Sequence, residues 1–290
     1  MILFKRAIDL QTYLQNPADT TPTIGFVPTM GALHEGHISL LKKSKEIAGI
    51  TVCSIFINPT QFNKIEDFKK YPVTIEQDIY LLEKAGCDVL FLPDVNEIYP
   101  DSDFSKEHFD LGYLENILEG KYRPGHFQGV CQVVKKLLQI VKPDYLIAGQ
   151  KDYQQCMILK RLLQLIKSKA QLVICPTTRE KDGLAMSSRN LRLNEKERIK
   201  ASAIYKALSF LKAKIKPGIL KYLKKEACEI LKKNDFKIDY IEIANANNLN
   251  TIDEWNGKEP VIFLAAAYIK DIRLIDNLKY SSRIIIPPHI

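Results

Sequence analysis

The chain has 290 residues, 46% of them hydrophobic and 26% charged, which suits a globular protein of one large or two modest domains. No apolar run reaches the ~18 residues of a membrane span, and Met1-Ile2-Leu3-Phe4-Lys5-Arg6 meets charge too early for a signal peptide. No membrane partner and a cytoplasmic location are therefore expected. The net charge of +8 lies wholly in residues 181–290, which hold 21 basic and 13 acidic side chains. Such a surplus can meet phosphate or nucleic acid. Lys212 to Lys237, however, alternates with apolar residues and has few interleaved aromatics, so it reads as a solvated helix surface, with no nucleic-acid partner. Cys53, Cys87, Cys131, Cys156, Cys175 and Cys228 form no C-x-x-C pair and are expected as buried free thiols.

In chain order, Ile24 to Val27 reads as a strand and Ile38 to Ala48 as a helix. Ile50 to Ile57 is a β-rich run, Thr74 to Ala85 a helix, and Val89 to Leu92 a buried strand. Val130 to Val141 is helical, Tyr145 to Ala148 a strand, Tyr153 to Ile166 a helix, and Leu172 to Cys175 a strand. Alternation of this kind, with nearly uninterrupted apolar strands, predicts an α/β fold: a Rossmann-like parallel sheet with helices on both faces. After Pro176 a polar stretch, Thr177 to Asn194, leads to a smaller α+β part. There Asn194 caps a helix with Glu197 as its capping-box partner, a second helix follows Pro217, and Ile238 to Ala244 and Val261 to Ala267 are strands. The expected domains are 1–180 and 181–290.

Three stretches carry chemistry. Met30-Gly31-Ala32-Leu33-His34-Glu35-Gly36-His37 follows the first strand read here and opens a helix. A glycine turn there lets backbone approach a phosphate, the helix start offers N–H groups and a positive dipole end, and two histidines add donors. The same residues could be incidental polar groups at a helix start, or, at H-x-x-H spacing, metal ligands. His-x-Gly-His after a first strand resembles the signature of the nucleotidyltransferase superfamily. Gly149-Gln150-Lys151-Asp152-Tyr153-Gln154-Gln155 follows a later strand and so lies at the same sheet edge, where a lysine can neutralise phosphate, an aspartate can hold ribose and glutamines can read small polar groups. Met186-Ser187-Ser188-Arg189-Asn190 offers two hydroxyls and a guanidinium to phosphate oxygens. Taken alone, the second and third stretches are common patterns.

Together the three resemble the pantothenate synthetase family over nearly the whole chain. Further matching stretches are Phe56 to Phe62, Glu66-Asp67 before Tyr71-Pro72, Arg123 to Val130, Arg179 to Asn190, and Arg273 to Asn277. The resemblance implies a Rossmann-like domain with a C-terminal lid, commonly a homodimer, and pantoate, β-alanine and ATP with Mg2+ as substrates. Pantoate would attack the α-phosphorus of ATP to give pantoyl adenylate and pyrophosphate. β-Alanine would then displace AMP, giving pantothenate.

By the same resemblance His37, His34 and Lys151 are catalytic, with His37 as proton donor. ATP falls to Met30, Gly31, Ala32, Leu33, His34, Glu35, Gly36, His37, Gly149, Gln150, Lys151, Asp152, Thr178, Met186, Ser187, Ser188 and Arg189, the last four from the lid side. Gln61 and Gln155 hold pantoate, and no protein metal site is implied. Departures from the family pattern are Val73 for arginine, Gln150 for lysine or glutamate, Thr178 for valine, and Ile269-Lys270-Asp271-Ile272-Arg273 for Val-Gly-x-Thr-Arg. Rival readings are another nucleotidyltransferase, such as a cytidylyltransferase or a tRNA-charging enzyme, and a nucleic-acid-binding protein. The tRNA-charging enzyme would need a further domain for which 290 residues leave little room. The nucleic-acid-binding protein lacks an RNA-binding motif with interleaved aromatics.

Overall fold

Alternating residues of the apolar strands send their side chains to opposite faces of one sheet, and both faces are buried. The computed structural model describes residues 1–15, 22–63, 65–100 and 107–281. It divides into two compact units, Met1–Thr178 with Met186–Leu191, and Arg179–Ala185 with Arg192–Ile290.

The first unit runs β1 (Ile2–Phe4), α1 (Ala7–Leu14), β2 (Ile24–Thr29), α2 (Glu35–Ile47), β3 (Ile50–Ile55), α3 (Ile65–Lys69), α4 (Ile75–Lys84), β4 (Val89–Phe91) and α5 (Val95–Ile98). It continues with α6 (Leu118–Tyr122), α7 (His126–Val141), β5 (Tyr145–Gly149), α8 (Tyr153–Leu165) and β6 (Gln171–Cys175). The strands form one parallel sheet in the order β1-β4-β3-β2-β5-β6. Phe26, Val52, Phe91 and Leu146 join α1, α7 and α8 in one core. Their chain neighbours Val27, Cys53, Leu90 and Ile147 join α2 and α4 in another. This two-faced burial is why the strands read as continuous apolar runs. The chain moves outward from β2 to β3 and β4, then returns to β5 on the other side of β2. Ligand crevices in open α/β sheets form at such a reversal, outside the carboxyl ends of the strands.

The second unit holds α9 (Glu195–Ala201), α10 (Ala203–Lys214), β7 (Gly218–Ile219), α11 (Lys221–Lys232), β8 (Phe236–Asn245), β9 (Glu254–Trp255), β10 (Val261–Ile269) and β11 (Ile272–Tyr280). Its antiparallel sheet β11-β10-β8 shares a core with α10 and α11. Asn194 and Glu197 cap α9 reciprocally, both bonds being 3.0 Å. The family-like segments Arg179 to Gly183 and Arg273 to Asn277 meet here. Arg179 forms a two-pronged pair with buried Asp276, at 2.6 and 2.9 Å, and lies over the Tyr205 ring.

The units interleave where a single boundary between 180 and 181 was expected. Met186–Leu191 belongs with the first unit because its side chains are anchored there. The Ser188 hydroxyl donates to Ala32 O at 3.0 Å, and Arg189 pairs with Asp67 at 2.7 Å. All six cysteines are free thiols, and no helix among the described residues is long and apolar enough to cross a membrane.

Candidate active site

The connection from β2 to α2 is wound into a left-handed turn, with φ of 80° at Gly31 and 48° at Ala32. Glycine suits that backbone, whereas alanine adopts it at a cost. A Cβ on Gly31 would also come within 3.0 Å of Asp78 Oδ2. Asp78, buried in the first turn of α4, holds the turn from its amide side: Ala32 N–H donates to Oδ2 at 2.9 Å and Leu33 N–H to Oδ1 at 2.7 Å. A carboxylate thus already holds two of the amides that the sequence offered to a phosphate.

The first turn of α2 is capped by its own histidines. His34 Nδ1 accepts from Gly36 N–H at 3.1 Å, and His37 Nδ1 accepts from His34 N–H at 3.3 Å. The amides expected to be open to anions at this helix start are thus largely taken. With Nδ1 an acceptor in both rings, the proton of each neutral imidazole resides on Nε2. Burial, with help from Lys151, lowers the His34 pKa to about 4. Burial, then His34 and Lys151, holds His37 well below the ordinary histidine value. The pair offers two neutral Nε2–H donors.

A cavity of about 220 Å³ lies at the carboxyl ends of β2 and β5 and is walled by the first unit alone. Met30, His34, Gly36 and His37 line it from the turn; Gly149, Lys151, Asp152 and Gln155 from the end of β5; Thr178, Met186, Ser187, Ser188 and Arg189 from the later segments; and Gln61 from beyond β3. Gly31, Ala32, Leu33, Glu35 and Gln150 are not on its wall. The first three shape the turn instead, and Glu35 is exposed.

Gln154 and Gln155, adjacent in sequence, have opposite fates. The buried Gln154 amide accepts from Glu119 N–H and donates to Leu114 O and Ile117 O, so it serves the packing of α8 and not a ligand. Gln155 lines the cavity, and its side chain has no hydrogen-bond partner among the described residues. Gln61 is held at both ends. Its amide donates to Met30 Sδ and accepts from Asn58, and its carbonyl accepts from His126 Nδ1–H at 2.8 Å. Tyr99 donates to Asn58, and Arg123 donates to His126 Nε2 at 3.0 Å. Gly129 allows the close approach, since a Cβ there would sit 2.5 Å from Thr60 O.

Thr178 uses its hydroxyl internally. Ser39 donates its one proton to Gly36 O at 2.8 Å, so the 3.1 Å contact between Ser39 and Thr178 has Thr178 as donor. Thr177, also on the cavity wall, keeps a buried hydroxyl with no hydrogen-bond partner among the described residues. Such a group calls for a ligand or water.

The profile of the family described as pantoate–β-alanine ligase matches residues 2–279. The chain belongs to the pantoate–β-alanine ligase family. A pantothenate synthetase of Cytophaga hutchinsonii is 43% identical over 281 residues, covering 96% of this chain and 99% of that one. Among solved structures, a pantothenate synthetase from Thermus thermophilus matches with TM-score 0.87 at 36% identity, over 96% of this chain and 99% of that one. A pantoate–β-alanine ligase from Francisella tularensis, described as complexed with β,γ-ATP and β-alanine, matches with TM-score 0.81 at 38% identity, over 96% and 97% of the two chains.

Within this ligase fold the sequence reading passed over Asp78, and it named Asn58, His126 and Thr177 only inside longer stretches, with no role of their own. Asp78 had a signal: a carboxylate on the apolar face of a helix, between Ile75 and Leu82. No group of three or more His, Cys, Asp or Glu side chains able to hold a metal occurs among the described residues.

Proposed function

We propose that the chain condenses pantoate with β-alanine at the expense of ATP, through a pantoyl adenylate. The observation that carries this reading is the reciprocally capped, neutral histidine pair beside Lys151, in a cavity that also presents Gln61 and the unpaired Gln155. ATP binds with its triphosphate toward His34, His37, Lys151 and the Met186–Arg189 segment, and its ribose toward Gly149 and Asp152. Gln61 and Gln155 hold the hydroxyls and carboxylate of pantoate.

A pantoate carboxylate oxygen forms a bond to the α-phosphorus, and the bond from that phosphorus to the bridging oxygen breaks, releasing pyrophosphate. The Nε2–H groups of His34 and His37 and the ammonium of Lys151 donate to oxygens on which charge grows in this step. The amine of β-alanine then attacks the acyl carbon. The acyl–oxygen bond breaks, AMP leaves, and the nitrogen loses its surplus proton to solvent. A mixed anhydride with AMP as leaving group needs no enzyme nucleophile.

The β,γ-ATP and β-alanine named for the Francisella relative support the choice of nucleotide and amine. Magnesium enters with ATP, the enzyme works in the cytoplasm, and it is a homodimer. The C-terminal residues 181–290, which carry the net positive charge, act as a lid that favours the triphosphate-bound state.

Exchange of labelled pyrophosphate into ATP tests the reading. Exchange should require pantoate, and AMP and pantothenate should accumulate only after β-alanine is added. Exchange supported by an amino acid and not by pantoate would overturn it.

A further inference from the structure

We infer that Asp78 is a positioning residue for the reaction, acting through the backbone turn that carries the histidine pair. Three hydrogen bonds converge on its carboxylate, from Ala32 N–H, Leu33 N–H and, at 3.1 Å, the Thr74 hydroxyl. It is fully buried and is not on the cavity wall, so it touches no substrate there. What it holds is a strained object. Ala32 has a φ of 48°, which an alanine rarely adopts unless its surroundings impose it. The carbonyl side of the same turn is gripped by Ser188, whose hydroxyl donates to Ala32 O.

The next residue after Leu33 is His34, whose N–H fixes His37 and whose Nδ1 takes the Gly36 amide. On the other side of the turn Met30 Sδ receives the Gln61 amide. One buried carboxylate therefore sets the entry angle of α2, the orientation of both imidazoles and one contact of the proposed pantoate subsite. Two N–H groups aimed at one carboxylate fix that turn in two directions. An amide side chain of the same size must turn an NH2 group toward one of them.

The inference rests on the proposed function for its kinetic half only. In Asp78→Asn the rate constant of pantoate-dependent pyrophosphate exchange should fall by about 10²-fold, the cost of a small misplacement at a reacting centre. KM for ATP should rise by less than about threefold, because the histidine donors act on developing charge. Imidazole nitrogen NMR of the free enzyme supplies a readout that needs no turnover. Parent His34 and His37 should hold neutral Nε2–H forms across about pH 6 to 8, whereas the variant pair should begin to titrate there.

Asp78→Asn with Ala32→Gly separates positioning from stability, since glycine relieves the left-handed backbone. Its melting temperature should recover, and its rate constant should stay low relative to Ala32→Gly alone. If Asp78→Asn alone does not fold, Thr74→Val, which removes one donor to the same carboxylate, should give the same pattern at about three- to tenfold. Recovery of rate together with melting temperature, or parent-like imidazole spectra in these variants, would overturn the inference. A parent enzyme with no pantoate-dependent exchange would defeat the proposed function instead, and the spectra would still decide on Asp78.

Discussion

His34 and His37 cap one helix turn between them, with ring centroids 4.1 Å apart and each Nδ1 closed by a backbone N–H. On the proposed function the arrangement serves helix start and chemistry at once: closing Nδ1 leaves Nε2–H as the donor, and burial keeps both rings neutral. Removing the His37 ring should lower the rate of adenylate formation by about 10²–10³-fold, the usual loss for one donor to developing charge. ATP affinity should change much less. Single-turnover pyrophosphate release and equilibrium nucleotide binding of His37→Ala measure the two, and parallel losses would make His37 a ground-state ligand.

Stability should weaken in mild acid. Burial, then Lys151, puts His34 at about 4, and burial, then Arg123, puts His126 at about 3, against the ordinary 6.5. Because the folded values are lower, the unfolded chain takes up protons first. Stability is full above about pH 6.5 and falls as pH drops toward 4 and then 3. Urea midpoints across this window should decline, and His126→Gln should show a shallower decline than the parent.

The two adjacent glutamines should separate cleanly. Gln154→Ala strands the Glu119 amide and two carbonyls inside the protein and should cost about 2–4 kcal/mol of stability. Gln155→Ala removes no hydrogen bond among the described residues, so its melting temperature should match the parent while KM for pantoate rises about tenfold or more. Thermal melts and pantoate titrations in the exchange assay measure both.

Asp276→Ala should destabilise the second unit by about 3–5 kcal/mol, because it leaves Arg179 without its buried partner. Trp255 is the sole tryptophan, is buried and lies in this unit, so its fluorescence in urea reports that transition directly. A midpoint equal to the parent's would mean that the bonds of Arg179 to Gly183 O and Asn277 O suffice.

What the sequence by itself determined is local or periodic. The buried strands β2, β3 and β5 had to be continuous apolar runs because both faces of the parallel sheet are covered. Asn194 and Glu197 bond within one helix turn, so their spacing announces the cap. The histidine turn was legible as a strand-to-helix junction because its residues are contiguous. Short β1 was not, since three residues carry no period, and β11 lay behind the Arg273 to Asn277 motif. Tertiary structure alone decided the pairings across distance. Asp78 meets Ala32 from 46 positions away, and Asp276 meets Arg179 from 97. It also decided that Gln154 faces the packing and Gln155 the cavity, and that Met186–Leu191 joins the first unit. A side chain's partner depends on which elements the folded sheet and helices bring beside it. A hydrogen bond between residues far apart in the chain leaves no spacing in the sequence from which it can be read.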